Sequence, residues 1–233
     1  MERPPISIVV ISYYKLHRLK VCLQSILPLI TLDRDELCIV DNSFASWDNS
    51  SNERDKIRDY MEELAKIYPI KLIMNQSNRR FSEAVNQGIE ATTNPFIFLV
   101  NNDIKIINMG TFDILSTEIA KRPKAATMTP VTIQSGGSVY CSGAHGTGAH
   151  HQDILTDIRQ AEWNNFSFVC IKRSVVGEIG LLAINKVQCN GRQVNCRHFH
   201  SDEEWCRRAT VAGYKHFVHQ IQVAHYHKED ARV

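Results

Sequence analysis

The strongest constraint on the fold comes from the first half of the chain, where short apolar runs alternate with amphipathic segments. The apolar runs are rich in β-branched residues and have the length of buried strands, while the segments between them carry apolar residues at helical spacing. Because helical crossovers join parallel strands, this alternation predicts an α/β fold with a mainly parallel, doubly wound sheet. The predicted strands cover residues 6–11, 37–40, 70–74 and 96–100, and the predicted helices cover residues 18–29, 52–67 and 81–91.

The second half of the chain is less regular. Glycines cluster between residues 136 and 148 and indicate a loop-rich stretch. With no internal repeat or long linker, we expect a single domain over residues 1–233, in which residues 1–105 and 106–233 form two functional halves. The elements predicted in the second half are a strand at 166–171, helices at 174–179 and 201–212, and one or two short strands at 214–226.

Composition excludes several classes of protein. Hydrophobic residues make up 43% and charged residues 22% of the 233 residues, as in ordinary soluble domains, and the formal net charge of +2 is too small to favour nucleic acid. No apolar segment has the length of a membrane span and no signal peptide is found, so we expect a cytoplasmic protein, with peripheral contact at a membrane left open. The seven cysteines are odd in number and scattered, which indicates free thiols in a reducing compartment.

Polar side chains follow each predicted strand of the first half, at the edge where open parallel sheets bind ligands. A turn preference explains any one of them, but the set together favours a binding site. A dinucleotide site of the usual kind is excluded, because Ser12, Tyr13 and Tyr14 follow the first strand in place of a glycine-rich loop. The other strand-end residues are Asp41, Asn42, Asn75, Asn78, Asn101, Asn102 and Asp103.

Six segments, in order along the chain, carry a resemblance to a known family. They are Ser7-Ile-Val-Val-Ile-Ser-Tyr-Tyr14, Ile39-Val-Asp-Asn-Ser43, Asn78-Arg-Arg-Phe-Ser-Glu-Ala-Val-Asn-Gln-Gly-Ile89, Leu99-Val-Asn-Asn-Asp103, Ser201-Asp-Glu-Glu-Trp-Cys-Arg-Arg208 and Val223-Ala-His225. Together they resemble the family 2 glycosyltransferases of the GT-A fold, and especially the rhamnosyltransferase-like branch. The resemblance implies a Rossmann-like sheet flanked by helices, with a smaller acceptor-side subregion.

The resemblance also implies an activity, the inverting transfer of a sugar from a nucleoside-diphosphate sugar to a hydroxyl acceptor, in cell-surface polysaccharide biosynthesis. UDP- and dTDP-linked donors are both open, as are saccharide, lipid-linked and protein acceptors, and no nucleic acid partner is expected. On the donor side, the resemblance assigns Asp41 to the base and Asn101 to the ribose. Further nucleotide-sugar contacts are expected from Ser12, Tyr13, Asn78 and Asn102.

A divalent metal is expected, because the departing nucleoside diphosphate develops negative charge that a cation can neutralise. Mn²⁺ or Mg²⁺ held by one or two protein ligands and by phosphate oxygens fits this need, and Asp103 is the expected first ligand. His225 matches the family's terminal histidine and is the expected second ligand, which favours Mn²⁺ somewhat. His227 lies on the same predicted strand face and is the alternative.

Asp202 is the expected catalytic base, because the acceptor hydroxyl must lose a proton as it attacks and Asp202 matches the family's second acidic position. Ser201 and Glu204 have the spacing of a capping box, which gives the same acidic cluster a structural explanation. The two interpretations are compatible, since a capped helix would hold Asp202 rigidly.

Three positions depart from the family pattern. Arg80 replaces a glycine, Ser201 replaces a glutamate and Ala183 replaces an aspartate. We expect the loop around Arg80 to be reshaped. The two lost carboxylates leave a second interpretation open, in which the chain is a degenerate relative that holds a nucleotide sugar without turnover.

The segment 185–197 is longer than the family norm. It carries Cys189 and Cys196, close to His198 and His200. A zinc site there is conceivable, but the spacing matches no standard finger, so we expect a loop that shapes the acceptor pocket.

Overall fold

The computed structural model describes residues 3–43, 50–134, 136–146, 149–189, 191–196 and 200–226. The strands are β1 (Ile6–Ser12), β2 (Glu36–Asp41), β3 (Ile70–Met74), β4 (Phe96–Asn101), β5 (Ile104–Ile106), β6 (Ala125–Gln134), β7 (Val139–Cys141), β8 (Ala144–His145), β9 (Ala149–His150), β10 (Arg159–Ala161), β11 (Phe168–Lys172), β12 (Lys186–Cys189), β13 (Arg192–Asn195) and β14 (Lys215–His225). The helices are α1 (Leu16–Ile26), α2 (Ser50–Ile67), α3 (Arg80–Glu90), α4 (Thr111–Ala120), α5 (Arg173–Ile179) and α6 (Ser201–Val211), and a 3₁₀ turn at Leu27–Leu29 follows α1. Within the described part of the chain, no helix combines the length and the apolarity needed to cross a membrane.

One sheet contains strands from both halves of the chain, in the order β10-β14-β6-β11-β4-β1-β2-β3, with β5 added to β14 and β7 added to β6. The strands from β4 to β3 are parallel, and so are β6 and β14. β11 is antiparallel to both β4 and β6 and so joins the two parallel groups. The predicted α/β fold with a mainly parallel sheet is therefore confirmed, and the second half is the more mixed of the two.

Side-chain alternation along β1 explains why helices cover both faces of the sheet. Ile6, Ile8 and Val10 pack in one apolar cluster with α1, α2 and α4. Val9 and Ile11 point to the opposite face and pack with α3, α5 and α6. All five side chains are buried, as expected of a continuous apolar run in a strand that is covered on both faces.

Helix α3 lies very close to the sheet at Gly88. A Cβ atom at this position would collide with the Val9 side chain, so only glycine allows the approach. Because α3 begins at Arg80, this contact also fixes the loop between β3 and α3 near the ends of β1 and β2.

The second half differs from the sequence-based prediction in several elements. β5, α4 and β6 had no predicted counterpart. The last segment forms one strand, as one of the two predicted options allowed, but with 11 residues β14 is longer than expected. β14 keeps its continuity by pairing with both β6 and β5, and an irregularity between His219 and Gln222 shifts its register on β6.

Six cysteines have described side chains, and all six are buried free thiols. Burial raises the pKa of Cys38 to about 12 and the pKa of Cys141 to about 11, so these thiols stay protonated at neutral pH. The seventh, Cys189, lies outside the described side chains.

His216 ties α6 to the sheet from inside the core. Its side chain is 1% exposed, with Nδ1 2.8 Å from Thr127 Oγ1 and Nε2 2.9 Å from the Cys206 carbonyl oxygen. A carbonyl oxygen can only accept, so Nε2 carries the proton and Nδ1 accepts from the threonine hydroxyl. Burial lowers the pKa of His216 to about 4, which keeps the ring neutral at physiological pH.

We expect this buried histidine to make the protein labile to mild acid. In the unfolded chain, His216 takes up a proton at a pKa of about 6.5, whereas in the folded chain it does so only at about pH 4. Protonation therefore favours the unfolded chain, and the stability of the fold falls as the pH drops from about 6.5 to 4. His216→Asn should lower stability at neutral pH and flatten this part of the pH dependence, as measured by urea unfolding across the range. His145→Asn, at an exposed position, is the control and should keep the wild-type slope. A wild-type slope in His216→Asn would contradict the assignment.

Candidate functional site

The carboxyl ends of β1, β2 and β4 place three predicted donor-site residues side by side. The parallel register sets Ser12 opposite Asp41 and Ile11 opposite Asn101. Past the strand end, Asn102 N donates to Ile11 O at 3.1 Å, so the pairing continues into the loop. The Ser12 hydroxyl is buried and has no hydrogen-bond partner among the described residues. These three side chains therefore all lie at the carboxyl edge of the sheet, which is where open parallel sheets bind ligands.

The turn after β1 has a strained backbone that its neighbours hold in place. Tyr14 and Lys15 both adopt left-handed conformations, with φ of 51° and 62°. Tyr14 N donates to the Ser43 hydroxyl at 2.9 Å, and Asn102 Nδ2 donates to Tyr14 O at 2.8 Å. Strain of this kind is concentrated at functional sites. The turn leaves Tyr13 45% exposed at the same edge.

Side-chain amides fasten the loop after β3 to the end of β2. Asn42 Nδ2 donates to Asn78 Oδ1 at 3.0 Å, and Asn42 Oδ1 accepts from Arg79 N at 2.9 Å. Asn75 and Gln87 exchange two side-chain hydrogen bonds of 2.9 and 3.0 Å, which tie the same loop to α3. Asn78 therefore lies at the predicted edge and is part of the network that shapes it.

Arg80 keeps a backbone conformation that suits glycine. Its φ is 66°, its N–H donates to Asn78 Oδ1 at 2.7 Å, and its carbonyl accepts from Asn42 Nδ2 at 3.1 Å. The loop therefore retains the left-handed turn at this residue, and the arginine adopts it at a cost of roughly 1–2 kcal/mol. The Arg80 side chain is exposed.

Asp41 is fully buried at the end of β2, in an ion pair with a residue of α2. Its Oδ1 accepts from Ser43 N at 3.1 Å, and its Oδ2 accepts from Arg58 Nε at 2.9 Å. Arg58 Nη2 also donates to Asn75 O at 2.5 Å. The Asp41 side chain has no exposed surface and the Arg58 side chain keeps 15%, so of the two side chains only that of Arg58 reaches the surface.

The two residues predicted as metal ligands lie next to each other. Asp103 Oδ2 is 3.6 Å from His225 Nε2. β5 begins directly after Asp103 and pairs with β14 so that Ile104 opposes His225, and Tyr226 N donates to Asp103 O at 2.9 Å. Asp103 Oδ1 is buried and has no hydrogen-bond partner among the described residues. The alternative ligand His227 lies outside the described residues.

A row of four aromatic rings begins at His225, and we call it the aromatic row: His225, Tyr140, His150 and Trp163. Tyr140 stacks on the His225 imidazole with ring centroids 4.7 Å apart and planes 5° apart. His150 meets Tyr140 edge-on at 5.9 Å, and Trp163 meets His150 at 5.5 Å. Tyr140 lies on β7, His150 on β9 and Trp163 just after β10. Elements far apart in sequence therefore come together beside His225, the last residue of β14.

The aromatic row lies within electrostatic reach of both predicted acidic residues. Burial raises the pKa of Tyr140, and Cys141, Asp103 and Asp202 raise it further. Burial lowers the pKa of His150, and the negative charge of Asp202 opposes that effect. The row therefore links the Asp103–His225 pair with Asp202.

Asp202 lies in the first turn of α6, but the helix does not begin with the predicted capping box. His200 precedes the helix in a left-handed conformation, with φ of 65°, and Ser201 is the first helical residue with no side-chain cap formed. Glu204 pairs with Arg208 one turn further on, at 2.7 Å. The capping-box prediction is wrong because the helix begins one residue too early for it and Glu204 has a cation as partner.

Burial dominates the protonation of Asp202. Desolvation of the carboxyl raises its pKa, while hydrogen bonds from the backbone amides of Glu203 (2.9 Å) and Phe166 and the nearby His150 act in the opposite direction. The net pKa is above the ordinary value, so the favourable position at a helix N-terminus does not outweigh desolvation. Such a carboxylate holds a proton more strongly than an exposed aspartate does.

Within the segment 185–197, β12 and β13 pair antiparallel, and Cys196, the residue after β13, lies next to α3. The Ser82 hydroxyl donates to Cys196 O, and Cys196 is buried. The Cys189 side chain and His198 lie outside the described residues, so the zinc alternative stays open at those positions. Among the side chains that the structure describes, no group of three or more histidine, cysteine or acidic residues could hold a metal.

Sequence reasoning did not single out Arg58, Tyr140 or His150. Arg58 belongs to a charged amphipathic helix, in which a paired arginine looks like a solvated one. Tyr140 and His150 lie in strands of three and two residues, respectively, too short to show a period. A single sequence therefore carries little information about these three positions.

We expect Arg58→Met to destabilise the fold, because it leaves the Asp41 carboxylate buried and unpaired. Removing one partner of a buried ion pair costs about 3–5 kcal/mol, and the partial exposure of Arg58 places the loss at the lower end of this range. Urea unfolding measures it. Arg54→Met is the matched control on the same helix, because the partner Asp55 is 59% exposed and such pairs contribute about 1 kcal/mol or less. Similar losses in both variants would refute a structural role for the Asp41–Arg58 pair.

Solved structures confirm that the arrangement is the GT-A fold. The mannosyltransferase PcManGT from Pyrobaculum calidifontis, in complex with GDP-Man and Mn²⁺, matches with a TM-score of 0.65 and 13% identity over 95% of this chain and 56% of that chain. GalNAc-T7 with UDP, GalNAc and Mn²⁺ matches with a TM-score of 0.72 and 14% identity over 97% and 44%. TarS 1-349 of S. aureus matches with a TM-score of 0.67 and 12% identity over 95% and 60%. The chain thus spans about half the length of these proteins, and identities this low establish the fold alone.

Sequence comparison establishes the family. No curated protein matches the chain significantly. The profile of glycosyl transferase family 2 matches residues 7–171, from β1 into β11, and therefore includes the strand ends with Asp41 and Asp103 but neither Asp202 nor His225. Since the match extends over well more than half of the sequence and the fold agrees with it, the chain belongs to glycosyl transferase family 2.

Proposed function

We propose that the chain transfers a sugar, with inversion, from a nucleoside-diphosphate sugar to a hydroxyl acceptor. The observation that carries the proposal is the pairing of Asp103 with His225 at the edge of the sheet, with Asp202 in electrostatic reach of the same aromatic row. Membership of family 2 supports glycosyl transfer in general. Hexosyl or rhamnosyl specificity and a role in cell-surface polysaccharide biosynthesis rest on the motif resemblance.

Asp103 and His225 are suited to hold a divalent metal. The buried Asp103 Oδ1 lacks a partner that a cation would provide, and a set of one carboxylate and one imidazole suits Mn²⁺ as well as Mg²⁺. Bound there, the ion would supply Lewis-acid stabilisation of the departing diphosphate. Two protein ligands leave coordination positions for phosphate oxygens. Mn²⁺ accompanies GDP-Man or UDP in two of the structurally similar proteins.

Asp202 is the proposed general base. Its carboxylate takes the proton of the acceptor hydroxyl while the acceptor oxygen bonds to the anomeric carbon and the bond from that carbon to the diphosphate breaks. Attack on the face opposite the leaving group inverts the anomeric centre. Burial raises the pKa of Asp202 and so strengthens it as a base, and the neighbouring His150, whose pKa is lowered by burial, stays neutral at physiological pH.

The donor occupies the first half of the chain in this proposal, residues 1–105, and the acceptor occupies residues 106–233. A UDP- or dTDP-linked sugar is the expected donor, and the acceptor is a saccharide, a lipid-linked or a protein hydroxyl. The exposed Tyr13 side chain and the partly exposed Arg58 side chain border the edge at which the base would lie. The proposed nucleotide-sugar contacts are Ser12, Tyr13, Asp41, Asn78, Asn101 and Asn102.

The second candidate is a binding module that holds a nucleotide sugar without turnover. It is supported by the two carboxylates that Ser201 and Ala183 replace and by the engagement of Glu204 with Arg208. Incubation with a panel of nucleotide sugars and Mn²⁺ separates the candidates. Release of a nucleoside diphosphate supports the enzyme, and binding without release supports the module.

We expect UDP, dTDP or GDP with Mn²⁺ to raise the melting temperature, because a ligand that binds only the folded state stabilises it. At a ligand concentration of roughly 100 times the Kd, the free energy of unfolding rises by about 2.7 kcal/mol. Asp103→Ala should abolish the metal-dependent part of this gain, as measured by thermal unfolding with and without chelator. Asp59→Ala, which removes an exposed carboxylate on α2, is the control and should keep the full gain. Nucleotide binding that is indifferent both to chelator and to Asp103→Ala would rule out the metal assignment.

Asp202→Asn should lower kcat by about 10²–10⁴-fold while nucleotide affinity changes little, because the base acts only in the transition state. The variant should unfold at the same or a higher temperature at neutral pH, since the raised pKa of Asp202 means that its ionised form disfavours folding. Glu203→Gln and Glu204→Gln are the controls, and should affect mainly stability. Wild-type turnover in Asp202→Asn, or loss of turnover in a control alone, would show that the base lies elsewhere.

A further inference from the structure

The stacking of Tyr140 on His225 is the most closely aligned aromatic contact at the site. The two rings are 5° from parallel at a centroid distance of 4.7 Å, whereas the other contacts of the aromatic row are edge-on. Tyr140 is half-buried on β7, and His225 is 9% exposed at the last position of β14. A parallel stack at this distance restricts the rotation of an imidazole about its Cβ–Cγ bond.

A restraint on the ring matters for His225 because of its position in the fold. It ends its strand, and the backbone on its far side is held to Asp103 by the Tyr226 N to Asp103 O hydrogen bond of 2.9 Å. That bond fixes the main chain beside the ring. The ring of Tyr140 lies flat on the face of the imidazole whose Nε2 is 3.6 Å from Asp103 Oδ2, so the stack acts directly on the orientation of that nitrogen.

We infer that Tyr140 is a positioning residue that holds the His225 imidazole in the orientation needed to bind a divalent cation together with Asp103. The inference rests on the proposed function, since it concerns the metal site of that proposal. Strand pairing places the three residues together: β7 lies on β6, β6 lies on β14, and β14 lies on β5. Tyr140 acts through the face of its ring, so phenylalanine should replace it and an aliphatic residue should not.

The test is the affinity of the full chain for Mn²⁺, measured by electron paramagnetic resonance titration without nucleotide and with UDP, dTDP or GDP. Groups that orient a metal ligand typically change metal affinity by about 10–100-fold when removed, so Tyr140→Leu should weaken Mn²⁺ binding by at least about 10-fold. Tyr140→Phe should keep the wild-type affinity. Tyr140→Val, with a side chain that strands favour, repeats the test if the leucine variant folds poorly.

A spectroscopic readout separates positioning from general damage. The stacked phenol ring shields the His225 ring protons, so Tyr140→Leu should shift their proton resonance, assigned by its loss in His225→Ala, while Tyr140→Phe leaves it in place. Tyr60→Leu is the matched control, because Tyr60 is a half-buried tyrosine on α2 that lies against Lys20. It should change neither the resonance nor the Mn²⁺ affinity.

The outcomes distinguish the inference from the proposed function. Wild-type Mn²⁺ affinity in Tyr140→Leu and Tyr140→Val, or equal weakening in Tyr140→Phe, would overturn the role of the ring while the metal site stands. Failure of the wild-type chain to bind Mn²⁺ with any of the nucleotides, or binding unaffected by Asp103→Ala, would overturn the metal site and this inference with it.

Discussion

The pairing of β5 with β14 brings together the two proposed metal ligands, Asp103 and His225. β5 has three residues, and the burial of Ile104 and Ile106 at 1% and 6% exposure anchors it. That anchor sets Asp103, the residue before β5, against His225 at the end of β14. Because side chains alternate along a strand, a slip of one residue would turn His225 to the opposite face. The shift in register between His219 and Gln222 decides which residue of β6 lies beside His225, and it places His225 opposite Gln134.

Buried polar groups make the edge of the sheet that is proposed to bind the donor rigid. The Asp41–Arg58 pair and the amides of Asn42, Asn75 and Gln87 connect the ends of β2 and β3 with α2 and α3. Each of these groups would be costly if it were left without a partner, so the network tolerates one arrangement and disfavours others. The same network holds Arg80 in a left-handed conformation that costs free energy locally. Because its neighbours hold this strained loop in one conformation, the loop is preorganised and would not need to rearrange when a ligand binds.

Much of the first half of the fold follows from the sequence, because its strands and helices bury one continuous core and their periods are unambiguous. The strand ends at Asp41 and Asp103 could be placed for the same reason, since parallel strands share one carboxyl edge. The second half could not be derived in this way. β5 and β7 are too short to show a period, and the stacking of Tyr140 on His225 depends on pairings between strands distant in sequence. The start of α6 was misjudged for a local reason, because a left-handed His200 is a conformation that sequence spacing does not reveal.

The two acidic residues proposed for metal binding and for catalysis lie in contrasting surroundings, and this contrast fits their different proposed roles. Asp103 faces an imidazole, and one of its oxygens is buried without a partner among the described residues, which suits the proposed role of binding a cation. Asp202 is partly exposed, and desolvation raises its pKa against the opposing effect of nearby backbone amides, which suits the proposed role of taking up a proton. Enzymes assign acid, base and electrostatic roles by separating the environments of their titratable groups in this way. The aromatic row lies within electrostatic reach of both carboxylates. It adds no negative charge of its own, because burial raises the pKa of Tyr140 and keeps the phenol neutral. The proposed cation ligand and the proposed general base therefore both lie in electrostatic reach of the aromatic row, and each would serve a different partner.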